Sequence, residues 1–148
     1  MFRTVLVAAA ALLLSTQLQA KTCELTIDST DQMTFTQKEL KVASDCTEVK
    51  LTLHHSGKLA KNVMGHNWVL TKTADYQAVA SDGLKAGAAS DYLPAGDARI
   101  IAHTHLIGGG ESDSVTFPMA GLEKGGDYTF FCSFPGHWAI MHGKFVIE

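Results

Sequence analysis

Alternating polarity dominates most of the chain. In Val49 to His55, Val49, Leu51, Leu53 and His55 share one face and Lys50, Thr52 and His54 the other, a period of two that marks a half-buried strand and points His55 inward. Shorter runs at Glu24 to Asp28, His66 to Leu70, Ile100 to His105, Ser114 to Phe117, Tyr128 to Cys132 and Lys144 to Ile147 read the same way, separated by turn residues. Many short strands in one small chain predict an all-β, antiparallel β-sandwich. Residues 74–86 break the pattern: Ala74 to Ala80 are rich in helix formers, with Gly83 and Gly87 as stop signals, so one short helical flap is expected outside the sandwich. Gly125, Gly126 and Asp127 form a turn that leads into the strand carrying Cys132, with Tyr128 at the corner.

The start of the chain differs. Arg3 precedes the apolar run Val5 to Leu14, followed by Ser15, Thr16 and Gln17, with Ala20 before Lys21. This is the layout of a secretory signal peptide over residues 1–20, leaving 21–148 as one exported domain. The run is far short of the roughly twenty residues a membrane span requires, so no membrane anchor is expected. Twelve Lys and Arg against fifteen Asp and Glu give a net charge of -3, and losing Arg3 makes the exported domain more acidic still. No basic field exists to hold nucleic acid.

Export changes the reading of the three cysteines, because an oxidising compartment permits disulfides and makes a spare thiol conspicuous. A bridge between Cys23 and Cys46, both early and in polar surroundings, would stabilise the fold by about 3 kcal/mol on the chain-entropy account. Cys132 is then left over. It sits in Cys132-Ser-Phe-Pro-Gly-His-Trp-Ala-Ile-Met141, where Pro135 and Gly136 supply a bend. Four residues separate Cys132 from His137 and three separate His137 from Met141, so one loop can aim a thiol, an imidazole and a thioether at one point. A second imidazole is available from Gly65-His66-Asn67. Methionine alone usually fills core space. Structural zinc seldom takes a thioether, whereas two His, one Cys and a weak axial Met describe an electron-transfer copper site. Gly108 to Gly110 lack the Lys and Ser or Thr of a phosphate loop, and no paired carboxylates or Ser-His-Asp set supports a hydrolase.

Met64-Gly-His-Asn-Trp-Val-Leu70, taken with the Cys132 to Met141 loop, resembles the azurin family, the bacterial periplasmic blue-copper proteins of cupredoxin fold. The resemblance covers the whole exported domain, including the Cys23 and Cys46 pair and the stretch from Gly108 to Phe117. Plastocyanin-like and pseudoazurin-like loops space Cys, His and Met differently. The resemblance implies a Greek-key sandwich or barrel with one bound copper ion cycling between Cu(I) and Cu(II). It further implies equatorial ligands His66, Cys132 and His137, a long axial Met141 thioether, and the Gly65 carbonyl opposite it. The backbone amides of Asn67 and Phe134 would hydrogen-bond the Cys132 sulfur, the Asn67 side chain would tie the two ligand segments together, and Cys23 and Cys46 would form the disulfide. Trp68 would be the buried core tryptophan.

The implied activity is electron transport, not enzymatic turnover. Single electrons would pass by outer-sphere transfer through the edge of His137, emerging within an apolar patch of Met33, Leu59, Met64, Phe134, Pro135, Trp138 and Ala139. The implied partners are c-type cytochromes and periplasmic reductases or dehydrogenases, met transiently. A copper store or chaperone would instead require exposed Met or His ligands, and an oxidase or reductase a second, His-rich centre. Of the remaining histidines, His55 reads as a satisfied core residue, His103 and His105 share a strand face where a metal could bind, and His142 is expected to point away from the copper.

Overall fold

The computed structural model describes residues 19–148; the signal peptide expected over residues 1–20 lies almost entirely outside them. Among the described residues, nine strands form two sheets. The first, in the order β2-β1-β4-β7, holds β1 (Thr22–Thr30), β2 (Thr34–Phe35), β4 (Glu48–His55) and β7 (Ser112–Pro118). The second, ordered β3-β9-β8-β5-β6, holds β3 (Glu39–Val42), β5 (Val69–Lys72), β6 (Ile100–His103), β8 (Tyr128–Phe131) and β9 (His142–Ile147). The inner face of β4 carries Val49, Leu51, Leu53 and His55, all buried, as the alternation predicts. Val49, Leu51 and Leu53 meet Leu70, Phe130 and Phe145 of the facing sheet, and Trp68 just before β5, in the main core.

Two pairings run parallel where the polarity pattern predicted antiparallel ladders throughout. β1 lies beside β4 from Thr22 opposite Glu48 to Ser29 opposite His55, and β3 lies beside β9 from Glu39 opposite Lys144 to Val42 opposite Ile147. The cause is the crossing of β3 to the other sheet: the chain returns as β4 in the direction of β1, as a sandwich with crossed connections permits. A disulfide joins Cys23 on β1 to Cys46 before β4 and fastens this parallel pair at its start. Tyr128 is buried, and its hydroxyl oxygen accepts the Glu123 amide at 3.0 Å, fixing the turn before β8.

A four-residue helix, α1 (Lys61–Met64), precedes the segment that carries Gly65 and His66. The flap is helix α2 (Tyr76–Ala86), which ends at Gly87 in a left-handed conformation. It covers the outer face of the second sheet: Val79 and Ala80 pack on Val69, Phe131 and Leu93 in a separate cluster. This layer explains why every residue of β8 is buried. Gly83 does not end the helix. It lies inside it, because a Cβ there would fall on the Tyr92 carbonyl oxygen. Gly83→Ala is expected to lower stability by about 2 kcal/mol, the usual scale for overpacking, although alanine is the better helix former. A denaturation midpoint equal to or above that of the parent chain would contradict the close approach.

Candidate metal centre

Three chain segments meet at one end of the sandwich. The strand expected at His66 to Leu70 begins only at Val69; His66 instead makes an isolated bridge, its amide donating to the Ile107 carbonyl at 3.1 Å and its carbonyl accepting the Ile107 amide at 2.8 Å. Cys132 follows the last residue of β8 and Met141 precedes β9, so the Cys-His-Met loop is the connection between two neighbouring strands. The Cys132 amide donates to the Met141 carbonyl at 3.0 Å, and the Met141 amide to the His137 carbonyl at 2.8 Å, closing the loop on itself. Gly136 takes the left-handed conformation that the bend requires.

His66, Cys132 and His137 are all buried, and their donor atoms lie within 4.8 Å of one another. Cys132 Sγ is 3.8 Å from His66 Nδ1 and 3.6 Å from His137 Nδ1. Nitrogen and sulfur donors spaced evenly in a plane about one ion, with bonds of about 2.0–2.3 Å, stand about 3.7 Å apart. The spacing therefore fits a single metal ion. The Gly65 carbonyl oxygen lies 3.9 Å from the same sulfur, and Met141 is fully buried beside the loop. Gly65 has ordinary extended geometry; what excludes a side chain there is the Lys61 carbonyl and the Phe134 ring.

The surrounding bonds prepare these donors. His66 Nε2–H donates to the Thr30 carbonyl at 2.8 Å, which fixes the tautomer that leaves Nδ1 free toward the sulfur. Burial lowers both His66 and His137 to about 4, so each ring is neutral and open to a cation near pH 7. Burial pushes the Cys132 thiol up to about 12, against the pull of the Asn67 and Phe134 amides that face its sulfur. A thiolate in this place needs a compensating positive charge, which a metal ion supplies in exchange for the proton. Asn67 joins the His66 segment to the Cys132 loop. Its Oδ1 accepts the Ser133 amide at 2.9 Å, and its Nδ2 donates to Ser133 Oγ at 2.8 Å and to the Asp91 carbonyl at 3.2 Å. Ser133 Oγ–H completes the set by donating to the Asp91 carbonyl at 2.9 Å. The sequence reading missed Thr30 and Asp91, because a backbone acceptor leaves no mark on residue type, and it missed the Ser133 hydroxyl, since a lone serine marks no site.

His137 keeps 3% of its surface at the exterior, and Phe134 packs on its ring with centroids 4.6 Å apart. Leu59 and Ala139 are exposed, while Met33, Met64, Phe134, Pro135 and Trp138 are half-buried. Trp138 leans toward the flap, edge-on to Tyr76. Val63 and Ile140, which the sequence reading did not single out, are exposed at 58% and 55%. His142 stacks on Tyr76, with ring centroids 5.6 Å apart. His55 is fully buried, with Nε2 3.1 Å from Asp31 Oδ1 and its ring edge-on to His66.

Two neutral imidazoles and a buried thiol in one plane, with a methionine alongside, define the blue-copper class of electron-transfer site. Comparison with known proteins gives the same class. The description "copper binding proteins, plastocyanin/azurin family" matches residues 21–148. The azurin of Bordetella pertussis is 59% identical over 124 residues, covering 84% of this chain and 83% of its own. That of Achromobacter denitrificans is 56% identical over 129 residues, covering 87% of each. The solved structure of an azurin, Az-iso2, from Methylomonas sp. strain J superimposes with a TM-score of 0.82 at 44% identity, over 85% of this chain and 98% of that one. This chain belongs to the plastocyanin/azurin family of copper-binding proteins and is azurin-like within it: a cupredoxin that carries electrons and is not an enzyme. Among the described residues no helix is long and apolar enough to cross a membrane.

Proposed function

We propose that the exported domain, residues 21–148, works in the periplasm and passes single electrons between c-type cytochromes and periplasmic reductases or dehydrogenases. The observation that carries this reading is the buried Cys132 sulfur, 3.6 and 3.8 Å from two imidazole nitrogens and fed by two backbone amides. His66, Cys132 and His137 would hold the copper ion, with the Met141 thioether and the Gly65 carbonyl as weaker donors. A copper ion held there supplies a one-electron couple. The chain's own part is to keep the donors still: the Thr30 carbonyl holds His66, Asn67 holds Ser133 beside Cys132, and the loop bonds hold His137 and Met141. Donors that do not move between oxidation states leave little reorganisation to oppose transfer. The amides of Asn67 and Phe134 take negative charge from the sulfur, which favours the reduced state.

His137 is the exit, because it is the ligand whose edge reaches the exterior. The apolar surface around it, Met33, Leu59, Met64, Phe134, Pro135, Trp138 and Ala139, suits brief docking with small buried area. Adding Cu(II) to purified residues 21–148 is expected to give an intense blue band and a narrow copper hyperfine splitting, both bleached by ascorbate and restored by oxidant. A pale spectrum with ordinary splitting would remove Cys132 from the ligand set and the electron-transfer role with it.

A further inference from the structure

His103, the last residue of β6, and His105, two residues on, project from the same side of an extended segment remote in sequence from either ligand loop. Both rings are exposed, His105 with 78% of its side chain free. Their centroids are 6.2 Å apart and their planes nearly perpendicular. Each ring has its Nδ1 engaged: His103 Nδ1–H donates to the Thr104 carbonyl at 3.1 Å, and His105 Nδ1–H to Asp91 Oδ2 at 2.7 Å. A carbonyl or carboxylate on one ring nitrogen is the usual support of a metal-binding histidine, because it fixes the tautomer and raises the basicity of the other nitrogen. Here both Nε2 atoms are left as acceptors without a protein partner among the described residues.

The backbone is held as well. The His105 amide donates to Asp113 Oδ2 at 2.7 Å, and Thr104 between the two rings is buried and accepts the Trp68 amide at 3.0 Å. The rings border an open groove of about 470 Å³ with Asp91 and Asp97 in its wall. Asp97 is bound to Arg99, which leaves Asp91 and Asp113 as the negative charge beside His105, with Lys61 the nearby cation. An imidazole nitrogen binds an ion at about 2.0–2.1 Å, which puts the ring centroid about 3.2 Å from it, so two rings on one ion lie at most about 6.4 Å apart. That limit is a linear arrangement; a tetrahedral ion holds two ring centroids about 5.2 Å apart, about 1 Å closer than these stand, and a swing of the exposed His105 ring supplies the difference.

We infer that His103 and His105 form a second, surface site that chelates a divalent transition-metal ion of the zinc, copper or nickel type through their two Nε2 atoms. Imidazole suits these metals, and Mg²⁺ or Ca²⁺ would find no oxygen cage here. Asp91 and the Thr104 carbonyl orient the rings and water fills the remaining positions, so the site is open, exchangeable and weaker than the buried centre.

The test is a zinc titration of the domain already loaded with Cu(I), at about pH 8, followed by calorimetry and by the histidine ring resonances. One further equivalent of zinc is expected, with the His103 and His105 ring signals shifting together. His103→Gln and His105→Gln should each weaken that binding at least tenfold, without change in the visible spectrum of the reoxidised copper protein. Zinc binding that survives either substitution, or ring shifts at only one of the two histidines, would show a lone surface imidazole and overturn chelation. Absence of any further equivalent up to millimolar zinc would overturn the site itself.

Discussion

Replacing Cys132 with serine is expected to abolish the blue colour while leaving a folded domain. The sulfur is fully buried, receives two backbone amides and faces both imidazoles, so it is the one atom that all the other donors address. A serine hydroxyl fits the space but does not ionise there, and it offers no thiolate to a metal. The fold should survive, because Cys132 lies just past β8 and outside the disulfide. Burying a poorly partnered hydroxyl costs about 1–3 kcal/mol, less than the stability of an ordinary domain. The visible spectrum with copper and the far-ultraviolet circular dichroism read the two halves of this expectation. A retained blue band would remove the thiol from the site, and loss of the fold would make Cys132 a structural residue. Cys23→Ser should do the opposite, lowering stability while the colour remains.

Asn67→Leu is expected to cause the largest loss of stability outside the hydrophobic core. Leucine keeps the volume and deletes both ends of the amide, leaving the Ser133 amide without its acceptor and Ser133 Oγ and the Asp91 carbonyl each short of a donor. The Ser133 end of this network is buried and the Asp91 end half-buried, so the unpaired groups cost about 3 kcal/mol together. For a domain of this size the metal-free chain should then melt about 10 °C lower. Ser133→Ala removes only the hydroxyl's bonds and should cost about 1 kcal/mol. The double variant should cost less than the two losses added, because the substitutions share one network. Strict additivity in the metal-free melting data would mean that Asn67 acts through packing alone.

How much of this was legible in the sequence follows from what side chains encode. Period-two alternation located β4 almost to the residue, because one face of that strand is entirely core and the other is half-buried or exposed. The Cys-His-Met loop was legible because three soft or borderline ligands in ten residues have few other uses. β3 was not seen, although Leu40 and Val42 alternate with Glu39 and Lys41: four residues carry too little signal beside a long polar stretch. α1, also of four residues, is no easier to read. Gly83 was read as a stop because residue type records a missing Cβ without saying whether freedom or closeness requires it; only the Tyr92 carbonyl decides. The ties through Thr30 and Asp91 run to backbone carbonyls, which every residue has.

The parallel pairings also set a time. β3 waits for β9, with Leu40 opposite Phe145, and β1 waits for β4 across a long excursion through the other sheet. Pairings between residues so distant in the chain must close large loops before any contact rewards them, which places such sandwiches among the slower small folders, in milliseconds to seconds. β3 cannot be seated until the last strand has emerged. Nothing in the order of the strands allows the second sheet to close before β9 is free to pair with both β3 and β8.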